Sequence, residues 1–375
     1  MPNAIVIGGG PGGAIAGVVL ARAGWDVTIV EQHRFPRDKV CGECVSGMGL
    51  DVLGRLGLRE RLERCGPAVL RRVEFHGPGL ERLSIPLSRE MWGLSRAVMD
   101  AELLSAAAEA GAKVLQPARC EAIEAGSPVR VRVRQLAENE TVWMTAGVVI
   151  VADGKPPAAV RSSRGAGAGR LGIKTHIELD DGPMDRVMLF GVNGNYGGLA
   201  AVDGGRWNVS FSIGAAMARE CRGNMDEVMR RLTEQNAGLA KRWSAGRRVS
   251  EWMAGPLHRY GISEAWEANV IPVGNAAAAI EPVGGEGMGL AMATAELAAN
   301  ALVKYGAGLK DENVRRLRRE MRELSVWRGR FCRGIAMLLS RPGVAEMVVG
   351  AAAANPGLAE AAMRVVKGRG RADII

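Results

Sequence analysis

Gly8, Gly10 and Gly13 follow the apolar run Ala4 to Ile7 with the spacing G-x-G-x-x-G, and Glu31 lies eighteen residues beyond Gly13. This set of residues is suited to holding a dinucleotide. One glycine permits a tight turn, the next lets a pyrophosphate approach the backbone, and the third lets a helix pack closely on a strand. A helix beginning near Pro11 would aim its free N–H groups and positive dipole end at the phosphates. A carboxylate at Glu31 would accept hydrogen bonds from the adenosine ribose hydroxyls. The elements that must position these groups follow directly. Ala4 to Ile7 reads as a buried parallel strand, Pro11 opens a helix, and Val27 to Val30 reads as the next strand.

Other chemistry-bearing residues are less ordered in sequence. The six cysteines (41, 44, 65, 120, 221, 332) are scattered and suggest no disulfide framework. Cys41 and Cys44 form a C-x-x-C, but no second pair or nearby histidine completes a zinc site, so no metal is expected. The four histidines (33, 76, 176, 258) share no recognisable spacing, and none is assigned to catalysis.

The chain has 375 residues, 47% of them hydrophobic, which fits a soluble globular protein of two domains or one elaborated domain. It opens on the cofactor strand without a charged leader, so no secretory signal is expected. The formal charge is +9, concentrated at Arg71/Arg72, Arg130/Arg132/Arg134, Arg315 to Arg322 and Lys367 to Arg371. No nucleic-acid motif accompanies that charge, and nucleic acid is not expected as a partner. A solvated arginine-rich surface is the plain reading, and attraction to anionic membranes or acidic carrier-bound substrates is the next. No apolar run reaches transmembrane length.

Farther along, Met48 to Arg64 has a helical pattern, and Val69 to Leu87 alternates around a Gly-Pro-Gly turn like paired strands. Leu94 to Ala110 reads as a helix ended by Gly111, and Lys113 to Leu136 and Thr141 to Val151 as strands. Residues 155 to 170, rich in Pro, Gly, Ser and Arg, read as a connection. Lys174 to Leu179, Arg186 to Phe190 and Trp207 to Ile213 are strand-like, with a helix near Met225 to Gln235. Asn269 to Val273 returns to a buried strand, a helix follows the second glycine-rich segment, and the chain beyond about Leu309 reads as helical.

Five stretches give the chain a family resemblance: Gly8 to Gly13, Glu31, Phe35 to Glu43, Leu94 to Gly111, and Val151 to Gly154 together with Ile271 to Met292. It resembles the geranylgeranyl reductase branch of the FAD-dependent monooxygenase-like flavoproteins, over roughly residues 1 to 305. The resemblance implies an α/β fold with a discontinuous Rossmann-type FAD domain (1–70, 95–165 and 268–305). It also implies a second, sheet-based α+β substrate domain (71–94 and 170–265) and a helical C-terminal region (306–375). It implies FAD as cofactor and NAD(P)H as reductant. Cofactor binding falls on Gly8, Gly10, Pro11, Gly12, Gly13, Glu31, Lys39, Cys41, Arg96, Asp153, Gly274, Asn275, Gly285, Gly287 and Met288. Arg96 is matched to an arginine near the FAD phosphate and ribityl region, the plain alternative being a solvent-facing pair with Asp100. Lys39, Cys41, Gly42 and Glu43 are matched to the loop beside the isoalloxazine, where Cys41 and Glu43 are the first candidates for a catalytic proton donor.

Two departures stand out. Asn275 replaces the usual aspartate of a Gly-Asp pair, keeping an oxygen acceptor but losing the charge. Pro156 and Pro157 remove backbone donors beside Asp153-Gly154, which bears on nicotinamide docking. The Tyr-x-Trp-x-Phe-Pro signature of prenyl reductases is reduced to Tyr196. The expected function is therefore that of an FAD-dependent oxidoreductase on an apolar or aromatic molecule such as a prenyl chain or polyketide, most like a double-bond reductase. An NAD(P)H-dependent flavin monooxygenase and a non-catalytic flavin-binding partner protein stay as alternatives. The expected location is cytoplasmic, with peripheral contact to a membrane or an electron-donor protein left open and no oligomeric state indicated.

Overall fold

A computed structural model describes residues 1–79, 82–155, 169–180, 182–257, 260–263, 265–267 and 269–354. The connection expected over residues 155 to 170 falls largely outside them, as do His258 and the chain beyond residue 354. The N-terminal apolar runs form a five-stranded parallel sheet. Its order is Val270–Pro272, Val148–Val151, Asn3–Ile7, Asp26–Val30 and Lys113–Leu115. Near-continuous apolar sequence suits such strands, because both faces of a parallel sheet are covered; here helices cover one face and a three-stranded antiparallel sheet the other. The helix Pro11–Arg22 is buried from Pro11 through Leu20. It packs between the sheet and the helices Gly287–Tyr305 and Arg96–Glu109. Small residues permit this closeness: a Cβ on Gly12 would lie 3.1 Å from the Ala291 carbonyl oxygen.

A second sheet has nine strands. It runs from Gly246–Arg248 through Arg170–Leu179, Trp207–Gly214, Asn195–Ala201, Arg186–Val192, Ala68–His76 and Arg82–Gly93 to Cys44–Val45, with Met253–Pro256 also paired to Arg170–Leu179. Asn195–Ala201 was not expected as a strand, because its two glycines mask the pattern. Those glycines are required by packing, since a Cβ on Gly197 would lie 2.3 Å from the Phe211 ring. The helical pattern of Met48 to Arg64 is interrupted at Gly57 (φ +65°), giving helices Gly47–Arg55 and Arg59–Glu63. Ala118–Glu124, Val129–Gln135 and Glu140–Ala146 form a separate antiparallel sheet. The helices Asp311–Leu339 and Pro342–Ala354 end the described chain. Among the described residues no helix is long and apolar enough to cross a membrane.

Candidate functional site

The glycine turn between Asn3–Ile7 and Pro11–Arg22 is locked sterically. A Cβ on Gly13 would lie 1.8 Å from the Gly8 carbonyl oxygen, and Gly8 itself has φ +100°. Gly10 caps the helix in an extended conformation, and Pro11 occupies the first helical turn, where no N–H is needed. Glu31, 3% exposed, ends the neighbouring strand and accepts the Gly9 N–H at 2.8 Å and the His33 N–H at 2.9 Å.

Three cations converge on this turn. The Arg96 guanidinium lies 3.6 Å from where a Gly10 Cβ would be, and the Lys39 Nζ 3.4 Å from where a Gly154 Cβ would be. Arg37 lies 3.7 Å from Asp100 and 4.0 Å from Glu31, and its Nε is buried without a hydrogen-bond partner. Arg96 is buried, not solvent-facing, although it does make the bidentate pair with Asp100 at 2.8 and 2.6 Å. Burial and the neighbouring Arg96 and Arg37 push the Lys39 ammonium down to about 8. Among the described residues, Asp100 and Glu31 are the carboxylates paired with Arg96 and Arg37, so three cations face two carboxylates at this turn. An anion approaching a helix N-terminus over bare glycine backbone meets that imbalance. These residues fit the pyrophosphate of a dinucleotide.

Asp153 accepts the Lys155 N–H at 2.9 Å, close to the same turn. Gly274 and Asn275 form a short helical turn after Val270–Pro272. Gly274 (φ +58°) donates its N–H to Thr294 Oγ1 at 2.9 Å, which ties the turn to the helix Gly287–Tyr305. Asn275 is half-buried. Gly285 (φ +66°) approaches Cys44 and Met91 so closely that a Cβ there would lie 2.9 and 2.7 Å from them. Gly287 opens the helix, and Met288 is buried in the first core.

The loop from Asp38 to Glu43 is held by a buried cluster that the sequence did not reveal. Glu43, fully buried and at φ +57°, accepts from Lys174 Nζ at 2.6 Å and from the Arg96 backbone N–H at 2.8 Å. Its other carboxylate oxygen lies 2.7 Å from His176 Nε2. Lys174 also donates to Asp38 at 3.1 Å. Lys174 and His176 alternate along the strand Arg170–Leu179 and so share one face. The sequence signal was this pair of basic residues two apart in the strand, each beside an apolar isoleucine. Asp38, Glu43 and His176 could geometrically hold a metal ion, but the Lys174 ammonium already fills the centre of their charge. Cys41 and Glu43, the expected proton donors, separate here: Cys41 lines a cavity, whereas Glu43 lies behind it.

That cavity, about 170 Å³, opens between the Val40 to Cys44 loop, the Pro282 to Glu286 loop and the nine-stranded sheet. Its wall is mostly apolar, with Phe75, Leu189, Phe211 and Leu257 from the sheet side and Phe331 and Ile335 from the helix Asp311–Leu339. Cys44 also faces it, and burial pushes its thiol up to about 12. One polar group stands out on the wall. The Tyr196 hydroxyl donates to the buried carboxylate of Glu281, and burial together with Glu281 and Tyr260 raises the Tyr196 pKa. Tyr260 lies beside them, its hydroxyl buried and without a hydrogen-bond partner among the described residues.

A parallel sheet with a cationic glycine turn, joined to a second sheet that walls an apolar cavity, defines an FAD-dependent oxidoreductase with a Rossmann-type cofactor fold. The chain belongs to the FAD binding domain family, which it matches over residues 2–314. It is 26% identical over 338 residues to the menaquinone reductase of Mycolicibacterium smegmatis, covering 81% of this chain and 77% of that protein. It is also 26% identical over 326 residues to the digeranylgeranylglycerophospholipid reductase of Methanoculleus marisnigri, covering 80% and 76%. Among solved structures, a flavin-dependent brominase superposes with a TM-score of 0.79 at 18% identity, covering 98% of this chain and 93% of its own, which establishes likeness of fold.

Proposed function

We propose that this enzyme reduces a carbon–carbon double bond of an apolar, prenyl-type substrate, with NAD(P)H as the source of electrons. The observation that carries this reading is the apolar cavity, which reaches from the Cys41 and Gly285 loops to Phe331 and Ile335. Such a wall excludes water and offers almost nothing to a polar substrate. The two reductase relatives, named for a quinone and a prenylated lipid, support the same choice. FAD supplies a hydride when reduced, and Gly8 to Gly13, Arg96, Lys39 and Arg37 would hold its phosphates.

Reducing an alkene adds a hydride to one carbon and a proton to the other. On this reading Tyr196 delivers the proton. Tyr196 lines the cavity, burial keeps its hydroxyl protonated, Glu281 accepts its hydrogen bond, and solvent returns the proton after turnover. Glu43 is then a positioning residue: it fixes the loop that carries Cys41 and the backbone at the start of the Arg96 helix. The test is anaerobic incubation of the FAD-loaded protein with NADPH and menaquinone-4. A product two mass units heavier in its side chain supports the reading. A hydroxylated product formed only with oxygen overturns it in favour of a monooxygenase, and no product with a reducible flavin overturns this substrate class.

A further inference from the structure

The helix Asp311–Leu339 has a second face that the cavity does not use. Arg315, Arg319, Arg322, Arg330, Arg333 and Met337 are exposed, with half-buried Val326 between them. Their spacing of 4, 3, 4, 4, 3 and 4 residues keeps all seven on one side of an α-helix. From Arg315 to Arg333 the stripe extends about 27 Å at the usual helical rise. Elsewhere several surface arginines are neutralised by carboxylates. Arg61 bonds Glu102 and Glu109, Arg230 bonds Glu227 and Glu234, and Arg130 and Arg132 face Glu124 and Glu121. On this helix Arg316 and Arg328, off the stripe, have Glu320 and Glu286 at 3.6 Å. Among the described residues, Arg315, Arg319, Arg330 and Arg333 make no ion pair. Among the described residues, the exposed acids on this helix and the next are Asp311, Glu312, Glu323 and Glu346, fewer than the exposed arginines.

Along the chain, the stripe is followed by exposed apolar side chains. Met337, Val344 and Met347 are 54%, 44% and 71% exposed, three of the six large hydrophobic residues so exposed among those described. Arg341 is exposed between them. Exposed cations followed by protruding apolar side chains match an anionic lipid surface, where the cations meet headgroups and the methionines enter the acyl boundary. An acidic protein would complement the arginines but leave the three apolar side chains without a reason to face water. The same turns that point Arg330, Arg333 and Met337 to solvent place Phe331 and Ile335 against the cavity.

We infer that this face docks the enzyme on anionic membranes, with the cavity wall directly behind the docked helix. The surface stands apart from the reductase reading, since vesicle binding needs no turnover. The test is co-sedimentation of the full FAD-loaded chain with vesicles of phosphatidylglycerol and phosphatidylcholine (30:70), or of phosphatidylcholine alone, in 0.1 M salt. The expected result is binding to the anionic vesicles only. The Arg319→Gln/Arg330→Gln/Arg333→Gln variant should bind about a hundredfold more weakly, at roughly fivefold per arginine. Met347→Asp should weaken binding even where the arginines are intact. These positions are exposed, so unchanged flavin content and thermal midpoint will show the variants to be folded. Equal binding to both vesicle types, no binding to either, or wild-type binding by the triple variant would each overturn the inference. Capture of the stripe by a polyanion such as heparin, without anionic vesicle binding, would also overturn it and point to an acidic macromolecule.

Discussion

Replacing Lys174 with methionine tests the buried cluster that ties the cofactor loop to the second sheet. Lys174 is 1% exposed and its ammonium lies 2.6 Å from Glu43, which is fully buried. Removing one member of a buried ion pair costs about 3–5 kcal/mol, because the surviving charge keeps its desolvation penalty. Glu43 would retain the Arg96 N–H and its contact with His176, which places the expected loss near the lower end, about 3 kcal/mol. Lys174→Met/Glu43→Gln removes both charges, so it should lose markedly less than the sum of the single changes. Urea denaturation of all three variants measures this, and FAD dissociation provides a second reading. Glu43 positions Cys41 and the start of the Arg96 helix, so FAD should be released faster from Lys174→Met. A loss below about 1 kcal/mol, or strict additivity across the cycle, would refute the claim that this pair holds the loop.

Lys39 should be unusually reactive in the cofactor-free protein. With a pKa near 8 it is about half neutral at pH 8, so an amine-reactive reagent should label it ahead of ordinary lysines, and FAD should protect it. Because this pKa is lowered on folding, the cost of burying the ammonium is present in full below pH 8. It is relieved as pH rises from 8 toward 10.5, so the stability of the apoprotein should gain relative to a Lys39→Met variant over that window. Gly13→Ala should purify without yellow colour and with reduced stability, since its Cβ would collide with the Gly8 carbonyl oxygen at 1.8 Å. Tyr196→Phe should leave flavin reduction by NADPH unchanged but slow substrate reduction about a hundredfold or more in stopped-flow traces. Equal slowing of both half-reactions would remove Tyr196 from proton delivery.

The sequence disclosed what is local and missed what is assembled over distance. Gly8, Gly10, Gly13 and Glu31 were readable because one turn and two strands determine their geometry, and each type is demanded by sterics or hydrogen bonding at its own position. Arg96 was placed near the cofactor, yet its burial with Asp100 depends on Arg37 and Lys39, which approach from a loop some sixty residues earlier. The Glu43–Lys174 contact joins residues 131 apart, and Tyr196–Glu281 joins residues 85 apart. No periodicity encodes such pairs. Nor does any propensity announce that Glu43 takes a left-handed backbone conformation. The strand Asn195–Ala201 was hidden for another reason: Gly197 and Gly198 serve the packing of Phe211 and neighbouring backbone, and so erase the alternation that marks a strand. The arginine run at Arg315 to Arg322 was visible as charge, but its alignment with Arg330, Arg333 and Met337 depends on one unbroken helix.

The Glu43 cluster also orders the birth of the enzyme. Asp38 and Glu43 are synthesised more than a hundred residues before Lys174 and His176. As the chain leaves the ribosome, the strand, turn and helix from Asn3 to Arg22 find the strand Asp26–Val30 at once, whereas the neighbouring loop has no early partner for its buried carboxylate. The cofactor loop must wait, solvated, until the strand Arg170–Leu179 arrives and pairs with Trp207–Gly214. The buried carboxylate thus gains its partners only once the substrate-side sheet exists, so the loop beside the cavity is set no earlier than the cavity's own wall.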